Sequence, residues 1–310
     1  MTAVGTARAT VPWQQVVDQV RDNITRMEPA LESVVAQLPR AAFGVESGFF
    51  YMPIAQALEW GERDREWLDR VATVFGLGHL YYVLHDRLVD VGALSPRSAV
   101  LMDTALACYL RTGSELGTGA DAFVRAHQAE ASVYAGALLR DIVHNERPEL
   151  PYAAEEVFRL GEKAAPGNLA LLVVATRCRR ADQVPGLSSA VTVMCSALQL
   201  LDDLQDLRDD WAEHNVTFPV SLGLAALPRP DRDLAPFDEF TAEDVLNALY
   251  LSGGAAGTLR IALRCLARAG EALARTDATV LQEIAREWTA TARAQLTRAE
   301  ARDSDHAHLG

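Results

Sequence analysis

Apolar residues recur at three- and four-residue spacing along almost the whole chain, and strand-like alternation is scarce. Ala, Leu, Arg and Glu, all good helix formers, fill the positions between them. The pattern predicts one helix after another. The first spans 12–38, with Pro12 near its start and Pro39 at its end. Residues 44–48 break the chain, and 49–60 form a short apolar helix. A long central helix covers 63–91, followed by 96–113 and 121–145. The RPELP stretch at 147–151 reads as a loop. Residues 155–181 are helical, with Pro166 and Gly167 kinking or breaking the run. A helix over 188–211 follows, then an exposed loop over 227–240 rich in proline and aspartate. Helices over 242–274 and 277–301 complete the chain, with 303–310 as a disordered tail. No repeat and no linker divides this series, so the expected architecture is one all-α domain over 1–302.

Composition narrows the function classes. At 310 residues, 49% hydrophobic and 23% charged, the chain can bury a large core. Its formal net charge of −13 argues against nucleic acid or an anionic membrane surface as the main partner. An anionic substrate would need a local metal or basic cluster. Cys108, Cys178, Cys195 and Cys265 are scattered without a CxxC, so thiols in a reducing, cytoplasmic setting are expected. The N-terminus has no signal-like apolar core, and no uninterrupted apolar run suggests a membrane span.

Two acidic helix ends change the picture. The segment LQLLDDLQDLRDD, 198–210, begins apolar and ends acidic. Asp202, Asp206 and Asp210 are spaced four and four, so a continuous helix would put them on one face, with Asp203 and Asp209 pointing elsewhere. Gln199, Cys195, Thr192 and Ser188 continue that face as a small or polar stripe, which suits a cavity wall. Like charges at this spacing destabilise a helix by roughly 0.2–0.5 kcal/mol per pair, and anions oppose the dipole at its C-terminus. A cation would offset that cost, and clustered oxygen ligands suit Mg²⁺. The other reading is a solvated acidic face. A second segment, HLYYVLHDRLVD at 79–90, places Asp86 and Asp90 at the same spacing, with Tyr82, His79 and Phe75 upstream on that side.

The two segments together resemble the aspartate-rich motifs of the trans-isoprenyl diphosphate synthase and class I terpene synthase superfamily. His85-Asp86-Arg87-Leu88-Val89-Asp90 resembles the first motif, HDDxxD, and LQLLDDLQD resembles the second, FQxxDDxxD. Lys163-Ala164-Ala165 resembles the family's KTA, Asn215 to Pro219 its KxTxP, and SGGAAGTLRIA the start of a late helix. The likeness runs from about residue 60 to 275. It implies an all-α helical bundle around a central apolar cavity, in which two facing acidic motifs bind three Mg²⁺ (Mn²⁺ could stand in). The ions grip an allylic prenyl diphosphate, farnesyl or geranyl, until it ionises to a carbocation. It implies Asp86, Asp90, Asp202, Asp206 and Asp210 as metal ligands. It implies Lys163, Arg97 and Arg87 near the diphosphate, and Gln199 and His79 beside the substrate. Tyr82 and Tyr81, four and five residues before the first motif, would floor the chain tunnel. A homodimer is among the expected partners.

The departures matter too. Arg87 replaces the middle aspartate, and Asn215 replaces a lysine. The basic GKRxRP stretch that grips a second, homoallylic diphosphate would fall at 46–53, where ESGFFYMP stands without a cation. These losses tilt the expectation toward a cyclase. The alternatives are a prenyltransferase and a non-catalytic subunit that partners an active synthase.

Overall fold

The computed structural model describes residues 3–44, 48–91, 94–117, 119–228 and 236–307. Every regular element among them is helical. In chain order the α-helices are α1 (Ala3–Thr10), α2 (Trp13–Met27), α3 (Glu32–Ala36), α4 (Gly48–Glu59), α5 (Arg65–Val91), α6 (Pro96–Ser114), α7 (Ala120–Glu146) and α8 (Ala154–Val157). They continue as α9 (Asn168–Arg177), α10 (Val184–Gln205), α11 (Leu207–Ala212), α12 (Phe218–Ala226), α13 (Pro236–Glu239), α14 (Ala242–Leu251), α15 (Gly254–Leu273) and α16 (Thr279–Ala307). A 3₁₀ segment, Leu160–Gly167, precedes α9.

The chain clusters into two compact units. One comprises Met1–Ser132, Pro166–Ser188 and Thr276–Leu281. Its most extensive helix pair is α5 with α6, and α2 packs on both. Trp67, Leu68, Val71, Val74, Leu77 and Leu80 bury one side of α5. Gly76 and Gly78 let neighbours approach: an added Cβ would stand 2.9 Å from Val20 at the first and 2.9 Å from the Tyr109 ring at the second. The other unit comprises Val133–Ala165, Ser189–Arg275 and Gln282–Gly310. Leu207, Trp211, Val216, Val220, Val245, Leu249 and Ala255 form a core there between α11, α12, α14 and α15.

The differences from the sequence reading lie at breaks. The expected 12–38 helix stops at Met27, because Pro29 cannot donate within a helix and forces Glu28 out of helical geometry (φ −138°, ψ 89°). The expected 242–274 helix is cut at Gly253, which adopts φ +74°. The 155–181 run becomes α8, the 3₁₀ segment and α9. Part of the 227–240 loop, residues 229–235, lies outside the described residues. The last helix runs on to Ala307, beyond residue 301, and 308–310 lie outside the described residues. All four cysteines are free. The segment Ala181–Gln205 has the length and hydropathy of a membrane span, and half of its apolar window is buried inside the protein.

Candidate active site

In the first unit, α5 carries the earlier acidic segment. His79, Tyr81, Tyr82, His85 and Asp86 are half-buried on its C-terminal half. The His79 ring lies against Gly44, which adopts φ +69° and where a Cβ would stand 2.8 Å from the ring. Glycine is thus needed there twice over. Burial pushes the His79 pKa down, against a hydrogen bond to the Ala41 backbone and the charge of Asp86. Tyr81 and Tyr82 meet edge to face with centroids 4.8 Å apart. Tyr82 reaches His127 at 6.5 Å, and Tyr81 stands 5.8 Å from His85. Burial raises both tyrosine pKa values, so both rings stay neutral. Arg87 is exposed, as is Arg97 at the second position of α6. Asp90 belongs to α5, but its side chain lies outside the described residues.

In the second unit, Asp206 acts on both Asp202 and Asp210, and helical backbone bonds join the three: Asp206 N–H to Asp202 O and Asp210 N–H to Asp206 O, both 2.9 Å. α10 ends at Gln205, and Asp206 turns the chain (φ −96°, ψ 9°) into α11. Asp202 and Asp206 are exposed and Asp210 is half-buried. The buried stripe of the helix runs Ser196, Leu200, Asp203, Leu207, Trp211. Asp203, expected to point away, is the buried aspartate at 4% exposure. Gln199 donates its Nε2 to Asp203 Oδ1 at 2.6 Å. Desolvation holds the Asp203 carboxyl well above the usual carboxylate range. The Gln199 bond and Lys163 oppose that rise, while Asp210 and Asp141 add to it.

Asp210 accepts from Asn215 Nδ2 at 3.1 Å and from Thr217 Oγ1 at 3.3 Å. Its carboxyl is nonetheless pushed up to about 6, chiefly by burial, with Asp206 and Glu213 adding. Asp202 is pushed up to about 6 by desolvation and by Asp206. Lys163 forms an ion pair with Asp141. Arg140 and Arg159 both hold Glu162, at 2.5 Å and 2.8 Å. Beside them His144 stacks on Tyr152 at 3.7 Å, and the Tyr152 hydroxyl donates to Val216 O at 2.8 Å. The structure thus brings Asp203, Asp210, Asp141, Lys163 and Tyr152 into one electrostatically coupled group. Sequence reasoning missed Asp141 and Tyr152, which no motif marks. It could have found Asp203, which lies four residues after Gln199 on the apolar stripe.

Among the described residues no three or more histidines, cysteines or carboxylates stand close enough together to hold a metal ion as they are. The donor chemistry still fits a hard cation. Asp202, Asp206 and Asp210 carry the oxygen donors such an ion would take, and burial raises the pKa of Asp202 and Asp210.

One pH dependence follows. A carboxyl raised from about 4 unfolded to about 6 folded contributes stability that is present below pH 4 and lost as pH rises through 6. His79 and His127, depressed by burial, act in the opposite sense. The difference between wild type and Asp210→Asn isolates the aspartate. In metal-free buffer the Tm advantage of wild type over this variant should shrink from pH 5 to pH 7. A difference that grows over that window would contradict the burial of Asp210.

No family model and no curated protein sequence matches the chain. Solved structures do. A decaprenyl diphosphate synthase from Rhodobacter capsulatus superposes with a TM-score of 0.72 at 19% identity, covering 96% of this chain and 98% of that one. A polyprenyl synthase from Caulobacter crescentus CB15, complexed with calcium and isoprenyl diphosphate, gives 0.68 at 19% identity, over 93% and 96%. A geranylgeranyl pyrophosphate synthetase from Pyrococcus horikoshii Ot3 gives 0.66 at 14% identity, over 93% and 98%. The chain therefore has the all-α isoprenyl diphosphate synthase fold.

Proposed function

We propose that this chain, built on the isoprenyl diphosphate synthase fold, is a Mg²⁺-dependent prenyltransferase that ionises an allylic diphosphate and passes the prenyl group to an acceptor. The reading rests first on the acidic end of α10. Burial first, and Asp206 beside them second, raise both Asp202 and Asp210 to about 6, and a cation is the natural complement of carboxylates so placed. Asp206 stands between them, and Asp86 and Asp90 are the ligands proposed from the first unit. Bound Mg²⁺, three ions by the resemblance, would neutralise the departing diphosphate. Lys163, Arg87 and Arg97 would bind and orient that diphosphate. Gln199 fixes Asp203, and His79, Tyr81 and Tyr82 shape the apolar side where water must be excluded. We place the enzyme in the cytoplasm.

The cyclase expectation gives way here. The superposed structures are named as diphosphate synthases. Two arginines from elsewhere in the chain also lie near this stretch. Arg8 lies over the Tyr51 ring at 5.4 Å, and Arg40, stacked on Trp13 at 3.5 Å, acts on the same tyrosine. Tyr51 is fully buried, with no partner for its hydroxyl. The test incubates the protein with Mg²⁺ and geranyl, farnesyl or geranylgeranyl diphosphate, with and without isopentenyl diphosphate. An elongated diphosphate supports transfer. A cyclic hydrocarbon from the allylic substrate alone supports cyclisation, and no product under any condition supports the partner-subunit reading.

Two further expectations belong to this reading. Tyr82 lies one turn before Asp86, about 6 Å along the helix. Replacing Tyr82 or Tyr81 with Ala should shift relative turnover toward a longer diphosphate by roughly tenfold. If both variants lose only stability, the tyrosines are core. We also propose a homodimer, which the exposed apolar residues of α7 support: Val133 at 41%, Leu139 at 63% and Val143 at 44%. Leu139→Arg should then yield monomer by light scattering, and an unchanged mass would place any interface elsewhere.

A further inference from the structure

An open groove of about 540 Å³ lies in the second unit between α12 and α15, a volume typical of ligand sites. Phe218, Leu222 and Ile261 form apolar walls. Its floor is open because Gly257 has no side chain, and a Cβ built there meets nothing within 4 Å. At the far end stand Arg260 and Arg264. Along α15 the arginines recur at 260, 264 and 268, one per turn, on a chain whose net charge is −13. Like charges so spaced destabilise the helix on their own.

The charges are unequally answered. Arg260 is paired with Glu300 at 2.7 Å. Arg264 lies 6.0 Å over the Phe158 ring, and no carboxylate among the described residues pairs with it. The groove therefore presents an apolar trough about 16 Å long, from Gly253 to Arg264 at 1.5 Å per residue. One uncompensated guanidinium closes it. Arg268, one turn on and 4.8 Å over the same Phe158 ring, lies outside the groove's lining, so a single carboxylate matches the one such guanidinium inside it in charge and in its two-pronged geometry.

We propose that this groove binds a long-chain carboxylate, with its hydrocarbon chain along Gly257 and Ile261 and its head on Arg264. The site is independent of the prenyl-transfer reading, since it uses none of the residues assigned to that reaction. The probe is sodium dodecanoate below its micelle concentration, titrated calorimetrically into the full chain. One saturable site is expected. Gly257→Leu, which fills the trough while improving helix propensity, should weaken binding at least tenfold. Arg264→Gln should do the same, and 1-dodecanol should bind at least tenfold more weakly than the acid. Circular dichroism of both variants should match wild type, with the Tm of Arg264→Gln unchanged and that of Gly257→Leu no lower. Absence of saturable binding would overturn the proposal, as would retained affinity in either variant or equal affinity for the alcohol. So would tighter, Gly257→Leu-sensitive binding of farnesyl diphosphate, or a change in oligomeric mass in Gly257→Leu, which would assign the groove to a second copy.

Discussion

Asp202→Asn is expected to cut Mg²⁺-dependent turnover on the order of 100-fold while leaving Tm unchanged or slightly higher. Asp202 is exposed at the end of an apolar helix, so its removal opens no cavity. Its carboxyl stands near 6 because desolvation and Asp206 both oppose its charge. Making it neutral removes repulsion worth roughly 0.2–0.5 kcal/mol and eases an anion off a helix C-terminus. Activity moves the other way, because an amide cannot supply a charged oxygen to Mg²⁺. The separation of the two readouts is the test. A merely structural acid would lose both together, and a solvated face would lose neither. Asp209→Asn, exposed on the same segment, serves as the control that leaves both unchanged. Turnover within threefold of wild type in Asp202→Asn would remove Asp202 from the metal site.

The helical class was legible because 3.6-residue periodicity is a local property of the chain, and α5, α6 and α7 lie within a few residues of where it puts them. Breaks were less legible. Pro29 and Gly253 each interrupt a run whose periodicity continues across them, so the pattern alone joins what the backbone separates. The acidic end of α10 was legible as a cluster, and the bend at Asp206 leaves the helical bonds from Asp206 to Asp202 and from Asp210 to Asp206 in place. The burial of Asp203 was not drawn from the sequence: it falls in register with Leu200 and Leu207 on the buried stripe. Asp141 and Tyr152 reach Asp203 only through tertiary packing. The cations around Tyr51 come from Arg8 and Arg40, 43 and 11 residues away in the chain, so a motif window over 46–53 could not contain them.

Gly161→Ala is expected to be the most destabilising single-methyl change, by about 3 kcal/mol or more, a fall in Tm of roughly 6 °C or more. Gly161 sits in the 3₁₀ segment where it crosses α10. A Cβ there would stand 1.9 Å from Thr192 O, 2.4 Å from Ser196 N and 2.9 Å from Cys195 C. All three are backbone atoms inside a helix, so no rotamer change relieves the clash. The segments must move apart by more than an ångström, and the crossing loses its polar clasp. In that clasp Gly161 N–H donates to Ser196 Oγ at 2.8 Å, and Ser196 Oγ donates to Phe158 O at 2.9 Å. Lys163 lies two residues beyond the crossing, and Asp203 two turns further along α10. The same displacement therefore weakens the coupling between them. Ser196→Ala separates the two effects. It unpairs the buried Gly161 N–H without forcing the backbones apart, and should cost only about 1–3 kcal/mol. Gly270→Ala supplies the opposite sign: nothing lies within 4 Å of its Cβ, and alanine favours the helix by up to about 1 kcal/mol. Denaturant unfolding of the three variants orders them Gly270→Ala, Ser196→Ala, Gly161→Ala from most to least stable. A Gly161→Ala protein within 1 kcal/mol of wild type would mean that the 3₁₀ segment does not hold its place on α10 through that glycine.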